Sequence, residues 1–198
     1  MIIIAVGGSP MRIAPAQPPH PEEIQARLDR IMPPGVAPLT LFTTLARSPR
    51  VFERFMAGGL LDRGALTMRQ RELMIDRTSA RCGNAYEWGV HVTLFGARVG
   101  LDEAALEALA NGDASDARWA ADEQAILALA DDLHATARIS EATWSALREH
   151  FDESQILELI ALAGFYRTVA YFCNGLELAP EPYASPLPPP RAGDVRAR

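Results

Sequence analysis

Of the 198 residues, 19 are arginine and none is lysine, against 25 aspartates and glutamates, for a net charge of −6. The missing lysine excludes Schiff-base and pyridoxal-phosphate chemistry, which need an amine nucleophile, and the acidic balance withholds the electrostatic attraction behind most nucleic-acid affinity. All fifteen prolines lie at the ends, nine by Pro49 and six from Pro180 onward, so the stretch from Arg50 to Ala179 is open to helix, inside which a proline costs ~3 kcal/mol.

In chain order, residues 1–20 are aperiodic and rich in Pro and Ala, and they read as a flexible arm. The opening MIIIAVGGSP lacks the basic start of a signal peptide, and its GG pair is too little for a phosphate loop. A first helix is predicted from Pro21, whose fixed φ suits the first helical position, to Pro33 and Pro34. A second covers Pro38 to Ala46, and a third starts near Pro49 and is weakened by Gly58 and Gly59. Thr67 with Gln70 makes a capping-box pattern that opens a fourth helix, TMRQRELMIDRTSAR. The CGN at 82–84 interrupts it, and AYEWGVHVTLFGARV continues as a fifth helix that ends at Gly100. Asp102 caps a short sixth, a seventh spans Trp119 to Thr136, Ser140 caps an eighth, and a long apolar helix runs from Glu153 to about Gly175.

No segment alternates with period 2, so the expected fold is all-α, a helical bundle of about seven to nine helices. Residues 21–179 read as one helical domain, and 180–198 as a proline-rich tail that wraps a neighbour or stays disordered. The run from Ile156 to Cys173 carries only Glu158 and Arg167 as charges. A membrane span needs ~20 apolar residues and pays for each central charge, so a helix buried within the bundle or between subunits is the better reading. The two cysteines, Cys82 and Cys173, fit a reducing compartment, hence a cytoplasmic protein.

Chemistry concentrates on the fourth and fifth helices. At 3.6 residues per turn, Trp88, Val92, Phe95 and Val99 form an apolar stripe, and Asn84, Glu87 and His91 a polar one beside it. Glu87 and His91 stand four apart, within hydrogen-bonding reach, and a carboxylate there fixes the imidazole tautomer and favours its charged form. Glu72 shares a face with Met68, Ile75 and Ser79, so it is either partnered or protonated. A chain reversal at CGN would bring Glu72 to His91 and make a proton-transfer site walled by Tyr86 and Trp88. The plainer alternatives are an exposed Glu–His pair, a Glu72 ion-paired with Arg69 or Arg71, Trp88 as core, and Cys82 as a small hydrophobe.

The run RQRELMIDRTSARCGNAYEWGVHVTLFGARVGLDEAALEAL resembles the signature segment of the carboxymuconolactone decarboxylase family, the superfamily that includes alkyl hydroperoxidase D-like proteins. The later YRTVAYFCNGLEL is similar to that family's second helical half. Together the resemblance covers roughly residues 35–180. It implies an alkyl hydroperoxidase D-like bundle that assembles into dimers, trimers or hexamers. In the hydroperoxidase branch a dithiol reduces peroxide, and its two cysteine positions fall here on Asn84 and Glu87, neither of which can be a thiolate. The decarboxylase branch lacks that dithiol. Its resemblance implies a cofactor-free lyase or isomerase acting on a small carboxylate or lactone. His91 would donate the proton, Glu87 and Glu72 would complete the relay, Tyr86 would bond the carbonyl, and Arg69, Arg71 or Arg77 would hold a carboxylate. Asn84, Trp88, Arg71 and Cys82 are further substrate-contact candidates. A peroxiredoxin-type activity through Cys82 and a non-catalytic oligomeric binding module are the alternatives. No metal or cofactor is expected, because no His-x3-His or Glu-x2-His pair accompanies His91. The expected partners are the small-molecule substrate and further copies of the chain, with no nucleic acid and no membrane.

Overall fold

The computed structural model describes residues 11–32, 35–60 and 62–191. These form α1 (Glu22–Ile31), α2 (Thr40–Leu45), α3 (Pro49–Met56), α4 (Met68–Arg81), α5 (Ala85–Phe95), α6 (Glu103–Asn111), α7 (Ala121–Thr136), α8 (Glu141–His150) and α9 (Glu153–Gly175). A 3-10 turn, Gly96–Val99, extends α5, and no strand occurs among the described residues.

Local chemistry sets the boundaries. Thr67 and Gln70 close a reciprocal capping box at the start of α4, and Asp152 and Gln155 do the same for α9. Asp102 and Ser140 accept backbone N–H groups at the starts of α6 and α8. The CGN segment is a helix stop and a helix start back to back. Gly83 takes φ +61, the left-handed conformation that glycine adopts without strain, and the Asn84 side chain then accepts the N–H of Glu87 to begin α5. The chain therefore doubles back, and α5 lies against α4.

Helix α4 is the centre of the bundle, packed on α5, α6, α7 and α9. Every residue from Glu72 to Ala80 is buried, so its polar side chains must find partners inside the protein. Arg77 does so with the Asp131 carboxylate at 2.8 and 2.7 Å and with the carbonyls of Leu109 and Gly112. Helix α9 is long and apolar enough to cross a membrane by length and composition. One side of it, including Leu159, Leu162, Tyr166, Val169 and Cys173, is buried against the bundle, while Leu157 and Tyr171 on the other side are exposed.

Both termini, where they are described, are bonded to the bundle. Residues 11–20 are held in place: the Arg12 N–H donates to Leu176, the Ala16 N–H to Thr43, and the Arg47 guanidinium to Ala14. Positions 1–10 lie outside the described residues. The tail up to Arg191 straps over its own α5 and α6. The Trp88 indole N–H donates to Pro186 O at 3.2 Å, Ser185 N–H to Thr93 Oγ1 at 2.9 Å, and the Asn111 amide to Pro189 O at 2.9 Å. Gly89 makes this crossing possible, because a Cβ there would sit 2.7 Å from Ala184 and 2.8 Å from the Ser185 carbonyl.

Candidate active site

The turn at Gly83 brings Glu72 of α4 to His91 of α5, and the two are bonded at 2.7 Å through Oε2 and Nδ1. On the other ring nitrogen, Nε2, Glu87 Oε1 lies at 3.3 Å and the Tyr166 hydroxyl of α9 at 3.2 Å. The imidazole is thus held from both sides, and its ring packs edge-on against Tyr166 with centroids 5.2 Å apart. All four side chains are buried.

Burial works against a charged imidazole here, but the hydrogen bonds and charges of Glu72 and Glu87 outweigh it and push His91 up to about 10. The site therefore keeps a proton on the ring at neutral pH. Asp76, one turn after Glu72, is driven the other way. Burial raises its carboxyl well above the ordinary range, with Glu72 and Glu87 adding to the rise and His91 opposing it. Neither Asp76 oxygen has a hydrogen-bond partner among the described residues, and the same holds for Glu87 Oε2. Glu72, Asp76 and His91 each offer a donor atom within 4.8 Å of the others.

Beside the histidine opens a cavity of about 620 Å³, of the size of small-molecule sites. Glu87 and His91 form part of its wall, with Tyr166 next to them. Apart from Asp62 the remainder is largely apolar, and it includes Leu41 and Phe42 of α2, Phe55 of α3, Val90 and Leu94 of α5, Phe165 of α9, and Tyr183 of the tail.

The structure brings together His91, Glu87 and Glu72, but not the other candidates. Tyr86 is buried away from the cavity, where its hydroxyl accepts from Leu41 N–H and donates to Glu181. Asn84 is a helix cap, and Trp88 is core with its indole N–H turned to the tail. Arg71 stands behind the pair, 3.5 Å from Glu72 Oε1, and does not line the cavity. Arg69 is paired with Glu123, and Arg77 with Asp131. Cys82 opens onto separate clefts on another face, where its sulfur lies 3.7 Å from His134 Nδ1. Burial raises its thiol, although the Arg167 charge opposes this.

Sequence reasoning missed Asp76, Tyr166 and Tyr183. Asp76 was within reach of it, since it stands at i+4 from Glu72 on the same helical face. Tyr166 and Tyr183 are 75 and 92 residues from His91, and no local pattern links them to it.

The helical bundle, with its buried Glu–His–Glu cluster beside a cavity, can be set against known proteins. Residues 47–132, from α3 into α7, are similar to the Carboxymuconolactone decarboxylase family. Two solved structures share the fold. A peroxidase-related protein from Silicibacter sp. TM1040 superposes with a TM-score of 0.74 at 20% identity, covering 90% of this chain and 96% of its own. A peroxidase-related protein from Ralstonia eutropha JMP134, described as an alkylhydroperoxidase AhpD core, gives 0.69 at 24% identity, covering 88% and 95%. No curated protein matches the sequence.

Proposed function

We propose that this protein is a cofactor-free lyase or isomerase that moves a proton on a small carbonyl compound, of the lactone kind that the family resemblance suggests. One observation carries the reading: His91 Nε2 and Glu87 meet in the wall of the 620 Å³ cavity, while Nδ1 is fixed from behind by Glu72 at 2.7 Å. In the step this permits, the free Glu87 oxygen takes a proton from the carbon next to the carbonyl. The electron pair of that C–H bond becomes the enol double bond, and the Nε2–H donates to the carbonyl oxygen. Reversal returns the proton to the same carbon or to a conjugated one, and nothing is oxidised or reduced. Glu72 and Tyr166 are positioning residues, which hold the ring at one angle and favour its charged form.

A thiol peroxidase acting through Cys82 is the weaker reading, because a thiol raised by burial is a poor nucleophile at neutral pH. The test is deuterium uptake from D2O into candidate lactones and ketones, followed by NMR. Wild-type protein should label the carbon next to the carbonyl, and His91→Ala and Glu87→Gln should each abolish the labelling. Uptake that survives both substitutions would remove the relay.

A further inference from the structure

The 620 Å³ cavity also carries a statement about charge, which rests on the proton-transfer reading only for the place of the carbonyl. We propose that its substrate is a neutral, largely apolar carbonyl compound, not a carboxylate.

Among the described residues, no arginine lines the cavity. Its charged lining is His91 together with two acids, Glu87 and Asp62. The imidazolium charge is already offset by two carboxylates, Glu72 at 2.7 Å from one nitrogen and Glu87 at 3.3 Å from the other, so the ring offers an entering anion no net positive charge. A carboxylate entering here would leave water to face like charges, a loss that no group in the wall offsets. The cationic side chains nearest the site are committed elsewhere: Arg69 to Glu123, Arg77 to Asp131, and Arg71 to the rear of Glu72.

The entrance makes the same selection. Ile31, Val36, Leu60, Leu94 and Tyr183 all line this cavity, and all five are large apolar side chains exposed to solvent. Exposed apolar side chains gathered at the mouth of one cavity mark a binding surface for apolar matter. Inside, the His91 Nε2–H is placed to donate to a ligand oxygen, with the Tyr166 hydroxyl 3.2 Å from that nitrogen. One polar handle at the end of an apolar chamber fits a single carbonyl on a hydrocarbon body.

Matched ligands of ten carbons test this by isothermal titration at pH 7.5. The cavity should bind 2-decanone and take decanoate at least about tenfold more weakly. Leu94→Arg, at an exposed rim position, should narrow or reverse that preference. Equal or tighter binding of decanoate, no binding of the ketone, or an unchanged ratio in Leu94→Arg would overturn the proposal. Deuterium uptake at the carbons flanking the 2-decanone carbonyl separates the two readings. Selective ketone binding without uptake leaves the substrate class standing and removes proton transfer, whereas uptake with equal decanoate affinity does the reverse.

Discussion

Replacing Glu72 by Gln removes one charge and almost no volume from the wall behind His91. At an effective dielectric of about 20, a unit charge at 2.7 Å from the imidazole contributes roughly 6 kcal/mol, and Glu87 at 3.3 Å roughly 5. The rise of His91 from 6.5 to about 10 corresponds to about 5 kcal/mol in favour of the charged ring. Burial must therefore oppose the two carboxylates by roughly 6 kcal/mol, as expected for a charge taken out of water. Without Glu72 the remaining carboxylate no longer covers that cost, and His91 should titrate below 6.5 and be mostly neutral at pH 7.5. Loss of the proton donor should then lower turnover by about 100-fold or more. The assay is NMR of the imidazole Cε1–H resonances, and it is clean because the chain has only four histidines. If His91 still titrates above 9 in Glu72→Gln, or near 6.5 in the wild type, the electrostatic account of the site is wrong.

Further outcomes follow from the same geometry. Because the folded protein keeps a proton on His91 that the unfolded chain releases near 6.5, this contribution to stability is full below that pH and is lost as pH rises through about 10. Urea midpoints should fall progressively over that window, and the fall should be smaller in His91→Gln. Asp76→Asn should stabilise the protein by about 1–3 kcal/mol at pH 7.5 and much less near pH 4, since the buried carboxyl holds a proton that the unfolded chain gives up; thermal melts at the two pH values check this. Gly89→Ala should cost about 1–3 kcal/mol and free the tail, because its Cβ meets Ala184 and the Ser185 carbonyl. Limited proteolysis should then cut near Tyr183, and an uncut tail would show that the strap yields elsewhere.

The helices and their ends were legible in the sequence. Thr67, Asp102, Ser140 and Asp152 are local caps, Gly83 and Gly100 local stops, and such signals act within one turn of the chain. The meeting of Glu72 with His91 was legible too, because a tight turn between two adjacent helices leaves little freedom about which faces touch. Tyr86 and Trp88 misled for the complementary reason. They adjoin Glu87 in sequence, but successive residues on a helix point about 100° apart, so neighbours of a site residue face away from the site. What only the tertiary structure decided is what His91 looks out on. The cavity is assembled from the end of α1, from α2, α3, α5 and α9, from the loops that carry Val36 and Leu60, and from the tail, and Tyr166 and Tyr183 reach it from far along the chain. Its shape and charge are properties of non-local packing. The sequence by itself therefore determined the helices and the paired acid and imidazole. The fold decided that this pair faces a largely apolar chamber, with no arginine in its wall among the described residues.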